Sequence, residues 1–317
     1  MKGKEQNVVG VFFTGRLGNQ LFVYAYARYL MEQIHQRHFV ANFQGSHTGQ
    51  EVDGFTDSIK HFQVVDYHVE NRNLIRHHGT IIQKAIYAIY ALCMKTSFFA
   101  DNRQRFIALN RALTHCGLYL TGTEDPAYHP KHIHQGSLFV SGFFQDSHFF
   151  NAIRPILIKE LTPKYPVLAH NTQLLNIANQ TNSICVSIRR GDFLSKQYKK
   201  DFYLCNMSYF MKAIDMMRNK VENPVFIFFS DDIQWVKENL HVDNFPNYYE
   251  RGDDPVWEKL RLMYSCHHFI ISNSTFSWWA QYLGRHENKI VISPSRWYAN
   301  PEWTSNLIED TFMTIDP

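Results

Sequence analysis

The second half of the chain alternates short, largely apolar runs with segments in which apolar residues recur at helical spacing. The runs predict four strands, at Ile184–Ile188, Val225–Phe229, His268–Ile271 and Lys289–Ile292. The helical segments that follow them along the chain are 208–219, 232–240, 256–265 and 276–283. Because strands that are apolar throughout must be covered on both faces, this alternation predicts an α/β fold with a parallel sheet.

The first half begins in the same way and then becomes less regular. Val8–Phe13 predicts a buried strand, a helical pattern starts at Leu21, and His38–Phe43 predicts a second strand. The pattern then indicates helices around 67–95 and 102–113 and a strand at 137–143. Prolines recur between 155 and 166, which places a domain boundary near 160 and divides the chain into 1–160 and 161–317.

Polar motifs directly follow several of the predicted strands. They are Gly15–Gln20, Arg189–Asp192, Ser230–Asp232 and Ser272–Thr275. In open parallel sheets, ligands bind beyond the carboxyl ends of the strands. We therefore expect these motifs to contribute to a binding site.

The adjacent arginines Arg189 and Arg190 are the most informative of these residues. Side chains alternate in direction along a strand, so one arginine can face a ligand while the other supports it. A guanidinium offers a planar fork of donors that suits phosphate oxygens. Gly191 permits a tight turn, and Asp192 is either a base or a clamp for an arginine. A purely structural Arg–Asp pair is an equally strong interpretation.

The motifs after the next two strands each have a capping alternative. Asp231 and Asp232 either accept hydrogen bonds from a ligand or cap the following helix. The segment Ser272–Trp279 is either an anion cradle at a helix N-terminus or a cap followed by core tryptophans. Adjacent tryptophans in a helix diverge by about 100°, so we expect only one of Trp278 and Trp279 to line a ligand.

The motif Gly15–Gln20 is less specific. It has neither the G-x-G-x-x-G spacing nor that of a Walker A loop, which argues against a dinucleotide or P-loop site. Its Arg16, Asn19 and Gln20 nevertheless offer donors and acceptors for a charged or sugar ligand.

Composition excludes several classes of protein. The 317 residues are 45% hydrophobic and 19% charged, which suits a globular protein of about two domains. Lys+Arg 32 against Asp+Glu 29 gives no surplus that would indicate a nucleic-acid partner. Five scattered cysteines and 17 histidines form no disulfide framework and no zinc-ligand spacing. No signal-peptide pattern precedes the first strand, so we expect a cytoplasmic protein.

One segment, Ile81–Phe99, comes nearest to a membrane-spanning helix. Polar residues interrupt it before it reaches the roughly 18 apolar residues that a span needs. Ile82, Ile86, Ile89 and Cys93 fall at helical spacing, which predicts a face packed on the core. The alternative is a helix that rests on a membrane surface.

Taken together, the motifs resemble those of the glycosyltransferase family 11 α-1,2-fucosyltransferases of bacterial type. The resemblance rests on four segments in the family's order, at 15–22, 187–193, 228–232 and 271–279. It implies a GT-B-like α/β architecture of two Rossmann-like domains facing a cleft. Domain 1–160 would lie on the acceptor side and 161–317 would bind GDP-fucose, with the last helix able to pack back on the first domain.

The activity that the resemblance implies is inverting transfer of L-fucose from GDP-β-L-fucose to O2 of a terminal β-galactose in a glycan acceptor. No cofactor and no metal are expected, and the absence of an Asp-x-Asp triplet agrees with that. The implied setting is O-antigen biosynthesis by a cytoplasmic enzyme, with peripheral membrane association as an option. The alternatives are another GDP-sugar transferase, such as an α-1,6- or protein O-fucosyltransferase, and a non-catalytic glycan- or nucleotide-binding protein.

The resemblance also implies roles for individual residues. Arg190 would neutralise the diphosphate, Arg189 would support it, and Asp192 is the candidate base. The family often has His where this chain has Ser187. The remaining implied substrate contacts are Arg16, Gly18, Asn19, Gln20, Ser187, Asp231, Asp232, Asn273, Ser274, Thr275, Phe276, Ser277 and Trp278.

Overall fold

A computed structural model describes residues 7–43, 56–95, 103–120, 132–202 and 204–317 of the chain. The chain divides into two compact units, Met1–Glu160 and Leu161–Pro317. Each contains one sheet in which every strand pair is parallel. The predicted α/β class is therefore confirmed. The acceptor and donor roles of the two halves, and the cleft between them, stay predictions.

The first unit has a five-stranded sheet in the order β3-β2-β1-β5-β4. Its strands are β1 Val9–Phe12, β2 His38–Asn42, β3 Asp66–Val69, β4 Leu118–Leu120 and β5 Leu138–Ser141. Its helices are α1 Leu17–Gln33, α2 Leu74–His78, α3 Ile81–Cys93, α4 Arg103–Thr114 and α5 Arg154–Glu160. The strand β1 lies at the centre, so the Gly15–Gln20 motif that follows it starts at the middle of the sheet's carboxyl edge.

The second unit has a six-stranded sheet in the order β11-β10-β9-β6-β7-β8. Its strands are β6 Asn182–Ile188, β7 Pro224–Ser230, β8 Asn247–Tyr249, β9 His268–Ile271, β10 Val291–Pro294 and β11 Met313–Ile315. Its helices are α6 Thr172–Gln180, α7 Lys196–Phe202, α8 Met207–Lys220, α9 Ile233–Asn239, α10 Val256–Tyr264 and α11 Thr275–Leu283. The central strands β6 and β7 are buried almost throughout, as their continuous apolar sequences predict.

The strands that the sequence pattern missed are β3, β4, β8 and β11, and all four lie at sheet edges. Each has only three or four residues, and all but β4 are partly exposed, so no continuous apolar run marks them. The helix expected around 67–95 is in fact a strand followed by two helices, β3, α2 and α3. The last described element is the strand β11, which pairs with β10. The packing of a final helix on the first domain stays a prediction.

The predicted core face of α3 is wrong at two positions. Ile82 and Ile89 are 68% and 60% exposed, whereas Gln83 of the same helix is buried. The buried side instead carries Gln83, whose amide donates to the carbonyls of Cys116 and Ser137 at 2.8 Å each. No helix in the described parts of the chain is long and apolar enough to cross a membrane.

The helix α1 buries a charged network in the first unit. Arg28, only 2% exposed, donates through Nε to Glu160 at 3.0 Å and through Nη1 to Glu32 at 2.6 Å. The Tyr24 hydroxyl donates to the second oxygen of Glu160 at 2.5 Å. Burial raises the pKa of Tyr24 well above its ordinary value, so this hydroxyl stays a donor. Glu160 therefore ties α5 to α1.

We expect Glu160→Ala to lower the free energy of unfolding by about 3 kcal/mol, because it leaves the buried guanidinium of Arg28 without one of its two carboxylate partners. Urea unfolding followed by circular dichroism measures the change. Arg37→Ala is the matched control: it removes the exposed ion pair with Glu32 and should cost at most about 1 kcal/mol. An equal decrease in the free energy of unfolding in the two variants would contradict the structural role of the buried network.

Candidate functional site

Three of the predicted motifs leave neighbouring strands at one edge of the second sheet. The strand β6 lies between β9 and β7, and Ser187 pairs in register with Ile271 on one side and Phe229 on the other. The chain leaves β6 at Arg189, β7 at Asp231 and β9 at Ser272. The parallel topology thus brings these three segments to the same carboxyl edge, as expected for a binding site in such a sheet.

Asp231 connects the ends of β6 and β7. Its Oδ2 lies 2.8 Å from Nη1 of Arg189, and its Oδ1 accepts the backbone N–H of Arg190 at 2.9 Å. A Cβ atom on Gly191 would lie 2.6 Å from Asp231 Oδ2. Glycine is therefore needed at 191 for the close approach of this carboxylate. Arg189 is therefore paired with Asp231, whereas the predicted Arg–Asp pair within Arg189–Asp192 stays a prediction.

Arg190 is held from two sides. The carbon at the centre of its guanidinium lies 3.3 Å from the centroid of the Trp235 ring, within cation–π range. Its Nε donates to Asp232 Oδ2 at 3.4 Å. The side chain keeps 15% of its surface exposed. Stacking of this kind holds the plane of the guanidinium in one orientation at the sheet edge.

Asp232 caps the following helix, which is one of the two roles that the sequence left open, and its contact with a ligand stays a prediction. Its Oδ1 accepts the backbone N–H of Trp235 at 3.3 Å, which caps α9. Its Oδ2 meanwhile faces Arg190. The cap fixes the first turn of α9 and so places the Trp235 ring under Arg190. Trp235 is a residue that sequence reasoning missed, although its position three residues after a capping Asp was a usable signal.

Glu250, directly after β8, is a second residue that sequence reasoning missed. Its carboxyl group is 1% exposed, accepts the backbone N–H of Ser230 at 3.0 Å and lies 3.1 Å from Lys259 Nζ. Burial raises the pKa of this carboxyl above its ordinary value, against the opposing effect of Lys259. Glu250 therefore anchors the end of β7, from which Asp231 and Asp232 emerge.

Several predicted ligand contacts near α11 are engaged within the protein. The hydroxyl oxygen of Ser277 lies 2.7 Å from that of Ser187 and 3.2 Å from that of Ser272. The Asn273 amide donates to the carbonyls of Phe202 and Trp297. These buried side chains fix the segment before α11. Ser274, Thr275 and Phe276, at the N-terminus of α11, remain partly exposed.

The prediction that Trp278 lines a ligand is wrong in this structure. Trp278 and Trp279 are both 0% exposed, and the Trp278 ring stacks on Tyr282 with centroids 4.9 Å apart. The reason is that α11 packs against both β9 and α10, so both tryptophan directions point into the protein. The alternative of core tryptophans after a helix start is the correct one.

The Gly15–Gln20 motif lies at the carboxyl end of β1 in the first unit. Gln20 is buried, donates to the carbonyls of Gly15 and Thr56 and accepts the N–H of Ser58, so it holds this loop together. Gly18 is buried within α1. Arg16 is exposed, and Asn19 is partly exposed with its Oδ1 accepting from Gln145. These two keep polar surface available to a ligand.

The candidate base, Asp192, begins a short 3-10 helix, Asp192–Leu194. Its side chain lies outside the described part of the structure. The role of Asp192 therefore stays a prediction.

Among the described residues, one group offers metal-ligand atoms close together: Glu70, His77 and His78, within 4.8 Å of one another. It belongs to the first unit. The guanidinium of Arg72 donates to Glu70 at 2.7 Å and lowers the pKa of this carboxyl to about 2. A cation at this group would meet the positive charge of Arg72. We therefore assign this group no part in the candidate site at Arg189 and Arg190.

Comparison with known proteins identifies one family. The model of the family described as "Glycosyl transferase family 11" matches residues 130–313, more than half of the chain. The match includes β6 and β7 and the arginine, aspartate and Ser–Asn motifs at their edge.

Two relatives from Escherichia coli cover similar parts of the chain. The O-antigen biosynthesis glycosyltransferase WbnK is 31% identical over 188 residues, 55% of this chain and 59% of that protein. An alpha-1,2-colitosyltransferase is 31% identical over 179 residues, 54% of this chain and 60% of that protein. The matched region thus spans less than two thirds of either relative.

A more distant relative and a solved structure complete the comparison. The galactoside alpha-(1,2)-fucosyltransferase 1 of Saimiri boliviensis boliviensis is 30% identical over 101 residues, 31% of this chain and 28% of that protein. The crystal structure of the fucosyltransferase NodZ from Bradyrhizobium aligns with a TM-score of 0.49 at 12% identity, covering 87% of this chain and 92% of that one.

The raised pKa of Glu250 predicts how stability depends on pH. Because the folded protein holds this proton more tightly than the unfolded chain, the contribution of Glu250 to stability is greatest below the unfolded pKa. It declines as pH rises through that pKa, about 4.3, towards the folded value. Glu250→Gln keeps an acceptor for Ser230 but cannot ionise.

We therefore expect the free energy of unfolding of the wild type, minus that of Glu250→Gln, to fall as pH rises from about 4 to neutrality. Urea unfolding at a series of pH values measures this difference. Glu238→Gln, at an exposed position of α9, controls for the loss of a carboxylate as such. A difference that rises with pH would contradict the assignment.

Proposed function

The chain belongs to glycosyl transferase family 11, and we propose that it transfers L-fucose from GDP-β-L-fucose to O2 of a terminal β-galactose on a glycan acceptor. The transfer inverts the anomeric configuration and requires no metal ion. The names of the relatives support this class of reaction, since they include an α-1,2-fucosyltransferase and an O-antigen biosynthesis glycosyltransferase.

The observation that carries the proposal is the position of Arg190. Its guanidinium is stacked on Trp235, bonded to Asp232 and partly exposed at the carboxyl edge of a parallel sheet. A planar fork of donors fixed in this way suits the oxygens of a diphosphate. Arg189, paired with Asp231, adds a second positive charge beside it.

The chemistry requires stabilisation of the leaving group. As the bond between fucosyl C1 and the phosphate oxygen breaks, its electron pair leaves with GDP, and the acceptor O2 forms the new bond to C1. Negative charge grows on the diphosphate as this bond breaks. Fixed arginines therefore stabilise the transition state more strongly than the ground state. Without a metal, Arg190 and the partly exposed N-terminus of α11 at Ser274–Phe276 supply that stabilisation.

The acceptor hydroxyl must lose its proton during the attack. We propose Asp192 as the base, because it lies two residues after Arg190 in the same motif and a carboxylate can accept this proton. Arg16 and Asn19 of the first unit are proposed to contact the donor or acceptor sugar.

A second candidate is transfer of a colitosyl group to the same type of hydroxyl. The alpha-1,2-colitosyltransferase is 31% identical and the galactoside alpha-(1,2)-fucosyltransferase 1 is 30% identical over the aligned residues, so sequence identity does not separate the two donors. Incubation of the purified protein with GDP-fucose or with the corresponding activated colitose, and with lactose as acceptor, decides between them. NMR of the product then gives the linkage.

We expect Arg190→Lys to lower the rate of transfer by about two orders of magnitude, because an ammonium ion replaces neither the fork of donors nor the stacked plane. The measurement is GDP release from GDP-fucose with lactose as acceptor. Arg251→Lys, at an exposed ion pair with Asp253, is the matched control and should retain near wild-type activity. Turnover of Arg190→Lys close to that of the control would overturn the proposal.

Substitution of Trp235 tests whether it positions Arg190. Trp235→Phe keeps an aromatic face and should retain most activity, whereas Trp235→Leu should lower kcat about tenfold through loss of the stacked orientation. Thermal unfolding of both variants controls for a general loss of stability. An equal loss of kcat in the two variants would indicate a packing role for Trp235 instead.

A further inference from the structure

The outer face of α3 is apolar and exposed. We define this face as Ile81, Ile82, Ala85, Ala88, Ile89 and Leu92. Its four large side chains are 86%, 68%, 60% and 64% exposed, in the order Ile81, Ile82, Ile89, Leu92. Exposed apolar side chains that cluster on one helix indicate an interaction surface rather than ordinary surface composition.

The opposite side of α3 is firmly attached to the first unit. A capping box between Thr80 and Gln83 starts the helix. The Gln83 amide then joins it to the carbonyls of Cys116 and Ser137. Ile86, Tyr87 and Tyr90 pack against the core of the unit. The outer face is therefore presented by a helix that is fixed in place.

Positive charge is concentrated in the stretch of sequence that contains this helix. Residues 71–115 contain seven Lys and Arg and one Asp, whereas the rest of the chain has 25 basic and 28 acidic residues. Arg72 and Arg76 are exposed just before α3, Lys84 lies at the border of the outer face, and Lys95 follows the helix. The small net charge of the whole chain is thus unevenly distributed, and basic residues precede, border and follow the apolar outer face.

We propose that the outer face of α3 docks on an anionic phospholipid membrane. A helix with an apolar face and neighbouring basic residues binds in the interfacial region of a bilayer, with its side chains inserted and its charges near the headgroups. Pairing with a second copy of the chain through this face is disfavoured, because a two-fold contact would bring the two basic regions together. Membrane docking through this face does not depend on which donor sugar the protein uses or which acceptor it modifies.

The full-length protein and vesicles test the proposal by flotation. We expect it to bind vesicles of roughly 70% phosphatidylcholine and 30% phosphatidylglycerol, to bind pure phosphatidylcholine at least tenfold more weakly, and to be released by salt. The double variant Ile82→Glu/Ile89→Glu should lose binding at least tenfold. A second variant, Arg76→Glu/Lys84→Glu, should bind the anionic vesicles more weakly than the wild type does. Its weak binding to pure phosphatidylcholine should stay unchanged.

Met211→Glu/Val256→Glu is the matched control, because it places the same charges at exposed apolar positions of the second unit. It should bind vesicles as the wild type does. Circular dichroism and thermal unfolding establish that all the variants fold. Unchanged binding by the double variant at Ile82 and Ile89 would overturn the proposal. So would absence of binding to anionic vesicles, or a dimer in analytical ultracentrifugation that the same variant dissociates.

Discussion

The carboxylate of Asp231 is the contact on which the arrangement of the candidate site depends. It accepts the backbone N–H of Arg190 and pairs with the side chain of Arg189, so one group fixes both the path of the chain and the direction of a side chain. Parallel strands bring their ends together but leave the following loops undetermined. Asp231 fixes the conformation of the chain that follows β6, because it bonds to both Arg189 and Arg190 from the end of β7.

The connection continues sideways along the edge of the sheet. Glu250 at the end of β8 holds the backbone of Ser230 at the end of β7. At the other side, the Ser187 hydroxyl near the end of β6 meets Ser277 of α11. Polar side chains therefore join four consecutive segments, and most of them are buried. Such a network is stable only when its members are satisfied, which explains why several residues predicted to contact a ligand also form hydrogen bonds within the protein.

The sequence predicts the central strands of both sheets well, because their apolar runs are long and must be covered on both faces. The edge strands β3, β8 and β11 escape because they are short and partly exposed, so no continuous apolar run marks them. At the site, the pattern identifies Arg189, Arg190 and the two aspartates, whose residue types are distinctive. It cannot identify Trp235 or Glu250, because their roles depend on which element lies beside which. For Trp278, helix periodicity alone could not reveal that α11 is enclosed on both sides.

The stacking of Arg190 on Trp235 has a consequence for conformational entropy. A free arginine side chain carries about 2 kcal/mol of rotamer entropy, and ordering it normally occurs when a ligand binds. Here the ring of Trp235 and the carboxylate of Asp232 restrict the guanidinium before any ligand arrives. The guanidinium of Arg190 is therefore already ordered when an anion binds it. The entropy cost of ordering this side chain is smaller, and more of the interaction energy contributes to affinity.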